Sequence, residues 1–95
     1  MKKFVIERTI PGAGKLSADE LKAIAETSCD VVSSLGTPYY WLETFVTDNK
    51  MYCVHIAENE GEIRKHAEIA GFPADSVSEV KSIIGPSWSA KKTNS

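Results

Sequence analysis

The chain has 95 residues, a formal net charge of −2, 42% hydrophobic and 25% charged residues. That length builds one domain, which buries only about 60% of the surface its unfolded form exposes, and the composition is neither disordered nor membrane-like. With 11 basic against 13 acidic residues there is no positive excess to track phosphates, which excludes nucleic acid as the main partner. Met1-Lys2-Lys3 opens like a signal peptide, but three apolar residues before Glu7 make no h-region, and no run approaches a membrane span. Cys29 and Cys53 form neither a CxxC nor a Cys/His zinc spacing. The expectation is a cytoplasmic protein with reduced thiols.

Residues 3–9 alternate as a strand and Pro11-Gly12-Ala13-Gly14 stops it. A helix follows, with Ser17 as N-cap, Glu20 closing a capping box and Gly36 as its left-handed terminator. Its apolar stripe is Leu21, Ile24, Ala25, Ser28, Val32 and Leu35, with Cys29 flanking it in the core. Residues 39–47 and 50–57, rich in aromatic and β-branched side chains, make a hairpin about Asp48-Asn49. A second helix starts at Asn59 and ends at Gly71, before Phe72 and Pro73, and residues 76–84 make a last strand. The domain is 1–85, with 86–95 a tail whose Trp88 folds back onto the barrel edge or a partner subunit.

The order β-α-β-β-α-β is the α+β, ferredoxin-like plan, an antiparallel sheet with strand order 4-1-3-2 and both helices on one face. Alternation then sorts the strands into two faces. Phe4, Ile6, Tyr40, Leu42, Val46, Tyr52, Val54, Ile56, Val80 and Ile84 are expected beneath the helices. The open face would carry Val5, Glu7, Tyr39, Trp41, Glu43, Phe45, Met51, Cys53, His55, Val77, Glu79, Lys81 and Ile83, too apolar a set to face water. Two such faces packed together give a homodimer of the dimeric α/β-barrel type.

On that reading Glu7, Glu43, Cys53 and His55 come from three neighbouring strands and point into one cavity walled by Tyr39, Trp41, Phe45 and Met51. Carboxylates buried there need a cation, a proton or a partner. Imidazole with carboxylate, and thiolate as a fourth donor, suits divalent Zn, Ni, Cu or Fe. Two alternatives stay open. The carboxylates pair with Lys81, His55 or the dimer mate and Cys53 is a small hydrophobe; or His55 is a general base or Glu7 an acid in catalysis. Elsewhere, Gly12-Ala13-Gly14-Lys15-Leu16 lacks the glycine and the Ser/Thr of a phosphate loop. His66, one turn beyond Glu62, reads as an exposed or half-packed helix residue rather than as half of an i,i+4 ligand pair. Arg8 and Arg64 read as surface ion-pair partners, with the clamping of an anionic ligand by either as the alternative.

FVIERTIPG at 4–12, SCDVVSSLG at 28–36, WLETFVTDNKMYCVH at 41–55 and HAEIAGFPADSVSEV at 66–80 resemble a small bacterial ferredoxin-like family of unknown function that includes a nickel-binding protein. The resemblance runs to about residue 84 and implies a cytoplasmic dimer with metal associated with the α/β fold. Family members often carry His two residues after the tryptophan, where this chain has Glu43, and that departure weakens the case for nickel in particular. The leading expectation is therefore a dimeric protein that binds a divalent transition metal, nickel among the candidates, through Glu7, Glu43, His55 and Cys53. The alternatives are a cofactor-free oxygenase or isomerase of a small organic substrate, by fold analogy alone, and a structural or effector-binding dimer module.

Overall fold

Alternation at the N-terminus produces strand β1 (Lys2–Thr9) in the computed structural model, which describes residues 1–91. Helix α1 (Ala18–Ser34) opens on the expected capping box: the Ser17 hydroxyl accepts from the Glu20 amide at 3.1 Å, and the Glu20 carboxylate accepts from the Ser17 amide at 3.0 Å. Strands β2 (Tyr39–Val46) and β3 (Lys50–Ala57) form the hairpin. Helix α2 (Glu60–Ala70) is capped by Asn59, whose side chain accepts from Glu62 N–H at 3.0 Å. It ends at Gly71 (φ 75°), where Phe72 N–H reaches back to the Ala67 carbonyl at 2.9 Å. Strand β4 (Ser76–Glu79) completes a four-stranded antiparallel sheet in the order β2-β3-β1-β4, the expected order read from the other edge.

The core lies between the two helices and one face of this sheet. Phe4, Ile6, Tyr39, Cys53 and Ala57 from the strands meet Val31 of α1, Leu35 at its C-cap and Ile63 of α2, and all are buried. Both helices thus cover the same face, in agreement with the α+β plan.

Three expectations are corrected. The first concerns β3. Phe4 pairs with His55, Ile6 with Cys53 and Arg8 with Met51, and residues directly opposite in an antiparallel ladder share a face. Met51, Cys53, His55 and Ala57 are therefore beneath the helices, and Tyr52, Val54 and Ile56 are on the open face. Both halves of this strand are apolar enough for either side, so alternation alone could not choose.

The second concerns β2, which is not a regular strand. Its register breaks between Trp41 and Glu43, leaving Leu42 as an extra, unpaired residue. Tyr39, Trp41, Thr44 and Val46 accordingly share the helix side with Ala57, His55, Cys53 and Met51, while Tyr40, Glu43 and Phe45 stay open. Tyr40 and Leu42, expected in the core, are 57% and 49% exposed.

The third concerns β4, which stops at Glu79 because β1 offers few further partners: Glu79 already faces Phe4, and one last bond joins Val80 N–H to the Lys3 carbonyl. Val77 and Glu79, expected on the open face, stand opposite Ile6 and Phe4 on the helix side, where Val77 packs against the core. Ile83 and Ile84 run past the sheet and are exposed. Cys29 is exposed rather than core, and Trp88, in a short 3-10 turn (Pro86–Trp88), is 73% exposed.

Ile63 is fully buried and Ser17 only caps. Ile63→Ala should cost about 2–5 kcal/mol by urea unfolding, and Ser17→Ala about 1 kcal/mol. Equal losses would mean that α2 does not seal the core as described.

Candidate functional site

Glu7 and Glu43 lie on the open face, on β1 and β2, with β3 between them: Glu7 faces Tyr52 and Glu43 faces Val54. Two strand spacings keep their backbones roughly 10 Å apart. Glu7 is already paired with Lys50 at 3.3 Å, whereas Glu43 is exposed and no lysine or arginine among the described residues lies within 4.0 Å of it. Cys53 and His55 point to the other side of the sheet. The four residues therefore do not converge within one chain. Of the expected wall, Phe45 is open, while Tyr39, Trp41 and Met51 stand with His55. Among the described residues no group of three His, Cys, Asp or Glu side chains is placed to hold a metal ion.

What the fold does assemble is a polar cluster under the helices. Arg8 follows Phe4 and Ile6 on the inward face of β1 and is 2% exposed. Its Nη1 donates to the Pro73 carbonyl at 2.5 Å and its Nε to Cys53 Sγ at 3.3 Å. The guanidinium carbon lies 5.6 Å from the Phe72 ring centroid, a cation–π contact. His55 Nδ1 and the Tyr39 hydroxyl are hydrogen-bonded at 2.5 Å, and His66 Nε2 and Ser28 Oγ at 3.2 Å. Tyr39 stacks on His66 with ring centroids 5.2 Å apart, and His55 meets both edge-on. His66 is fully buried, and its Nδ1 has no hydrogen-bond partner among the described residues.

Burial, the nearby His66 and the Arg8 charge together hold His55 down to a pKa of about 3. Burial and Arg8 likewise lower His66, and burial pushes the Tyr39 phenol up. All three are neutral near pH 7, so Arg8 is the one charged group of the cluster. A cavity of about 220 Å³ opens beside it, between α1 and the sheet. Arg8, Ser28 and Trp41 line it together with Cys53, His55 and His66.

Arg8 and His66, expected at the surface, are thus the residues that define this cluster. The signal for Arg8 is its even position after Phe4 and Ile6, which period 2 turns inward. That for His66 is its place three residues after Ile63 and one before Ala67, on the buried stripe of α2.

In the unfolded chain each imidazole takes up a proton near pH 6.5, and in the folded one His55 does so only near 3. The unfolded state binds more protons in between. The stability from the neutral histidines is therefore full above pH 6.5 and falls as the pH drops, at up to about 1.4 kcal/mol per pH unit for each. Urea midpoints should follow that slope below pH 6.5, and His66→Gln should make it shallower. Tyr39→Phe, which leaves His55 Nδ1 without its partner, should cost about 1–3 kcal/mol.

The comparisons with known proteins agree with this fold. The crystal structure of SCO4226 from Streptomyces coelicolor A3(2) superposes with a TM-score of 0.73 at 16% identity, covering 86% of this chain and 99% of that one. That likeness shows the fold. No curated protein matches the chain. A family model described as nickel responsive protein SCO4226-like matches residues 4–80, over four-fifths of the length, and the chain belongs to that family.

Proposed function

We propose that the chain acts as a homodimer, open face to open face, and takes up a divalent transition metal between its two copies, with nickel the first candidate. Glu43 carries this reading. It is an exposed carboxylate with no basic partner among the described residues, set between the aromatic and aliphatic side chains of Tyr40, Phe45, Tyr52 and Val54. Tyr40 and Phe45 are each more than half exposed. The open face also carries Tyr52, Val54 and Ile56 of β3, so covering it removes substantial apolar surface from water. Covering it also desolvates Glu43, and a carboxylate without a counter-charge costs several kcal/mol in such a place. A divalent cation shared with the partner's Glu43 removes that cost.

The donor set of one chain does not fit a metal; the doubled set does, because two-fold symmetry brings the same carboxylate twice. Carboxylate oxygens suit a divalent ion without selecting nickel, so the preference for nickel rests on the family's description. Glu7 joins the site only by giving up Lys50. Cys53 and His55 face the helices and have no part in it.

The test is light scattering together with calorimetric titration of untagged protein with Ni²⁺. The expectation is a dimer that binds the ion saturably. Glu43→Ala should lose at least the ~10–100-fold in affinity that removal of even an outer metal partner costs, while Cys53→Ala keeps it. A monomer, or binding that survives Glu43→Ala and is lost in Cys53→Ala, overturns the reading. Without metal, Glu43→Ala should tighten the dimer and Phe45→Lys should dissociate it.

A further inference from the structure

The cavity beneath the helices is apolar over most of its wall, with Leu21, Ile24 and Ala25 from α1 facing Trp41 and Met51 of the sheet and Phe72 closing one side. Its polar end is Arg8, the only lysine, arginine, aspartate or glutamate in the lining among the described residues. That guanidinium is nearly fully buried, yet no carboxylate among the described residues lies within 4.0 Å of it. A carbonyl, a sulfur and an aromatic face are its partners, and none of them carries a formal negative charge. Buried charges are ordinarily paired. His66 also lines the cavity, and its buried Nδ1 has no hydrogen-bond partner among the described residues.

We propose that this cavity binds a small apolar monocarboxylate, with the carboxylate on the free N–H donors of Arg8 and the hydrocarbon body against α1, Trp41 and Met51. Arginine's planar fork is matched to a carboxylate, and the charge-assisted bonds are strong where water is excluded. The volume of about 220 Å³ exceeds that of an engineered cavity of about 150 Å³ that holds benzene, so a single ring or a short acyl chain fits. One cation in the wall disfavours polyanions such as nucleotides, because the second charge would be desolvated with nothing to meet it. The site lies on the opposite side of the sheet from Glu43, and it stands whether or not the dimer binds metal.

The experiment is an NMR titration of the full chain with benzoate and, in parallel, its neutral counterpart benzamide, following backbone amides and the Arg8 Nε–H. Benzoate should saturate shifts at Arg8, Ser28, Trp41 and Cys53 and bind about tenfold or more tighter than benzamide. Arg8→Gln should erase that preference. Because Arg8 also ties β1 to the Pro73 loop, Ala25→Phe, which fills the cavity from α1 and leaves Arg8 in place, serves as the second variant; it should abolish saturable binding while the rest of the spectrum persists. Equal affinity for the two probes, shifts that do not saturate, or benzoate binding unchanged in Ala25→Phe each overturn the proposal.

Discussion

Everything in this fold depends on how β1 is registered against β3. Because facing residues of an antiparallel ladder share a side, pairing Phe4 with His55 and Ile6 with Cys53 puts a histidine and a thiol in the core and sends Tyr52, Val54 and Ile56 outward. A slip of one residue would exchange the two sets. The inward set, Met51, Cys53, His55 and Ala57, includes two small side chains and one imidazole and adjoins Arg8, His66 and a cavity; the outward set is apolar and leaves a face that water solvates poorly. The two candidate sites are the two sides of one register.

The inward side is held by directional bonds more than by bulk. Arg8 bonds through Nε to Cys53 on the neighbouring β3 and through Nη1 to Pro73, stitching the first strand to the segment that leads into the last. Asp75 strengthens the same junction, its carboxylate accepting from the Thr9 amide and its own amide donating to the Glu7 carbonyl. Tyr39, His55 and His66 interlock by one stack and two edge contacts. Such a cluster gains stability only while its imidazoles are uncharged, so it is well suited to neutral surroundings and poorly suited to acid ones.

Much of the architecture is legible in the residues themselves. Ser17 with Glu20, Asn59 with Glu62, and Gly71 before Phe72 are local signals whose physics is settled within one helical turn, and each end falls where they place it. The strand order follows from the element order. The site was far less legible, because side choice on β3 and β2 is decided by long-range pairing. KMYCVHIA reads acceptably with either half inward, and only contact with Phe4 and Ile6 breaks the tie. Trp41 and Glu43, two residues apart, would share a face in any regular strand; the extra residue between them sends them to opposite sides. Arg8 is the opposite case: its pattern points inward, against the general rule that arginines stay at the surface.

That extra residue, Leu42, also bears on how copies of the chain can meet. β2 is an outer strand of the sheet, and the irregularity falls near its middle. There the row of amides and carbonyls that a neighbouring strand would need is broken and twisted. The other outer strand, β4, has only four residues. Neither border offers a long straight template, so end-over-end growth into fibrils or runaway ribbons is discouraged at both margins. The broad apolar surface is confined to the open face of the sheet and kept away from the rims, where association would propagate.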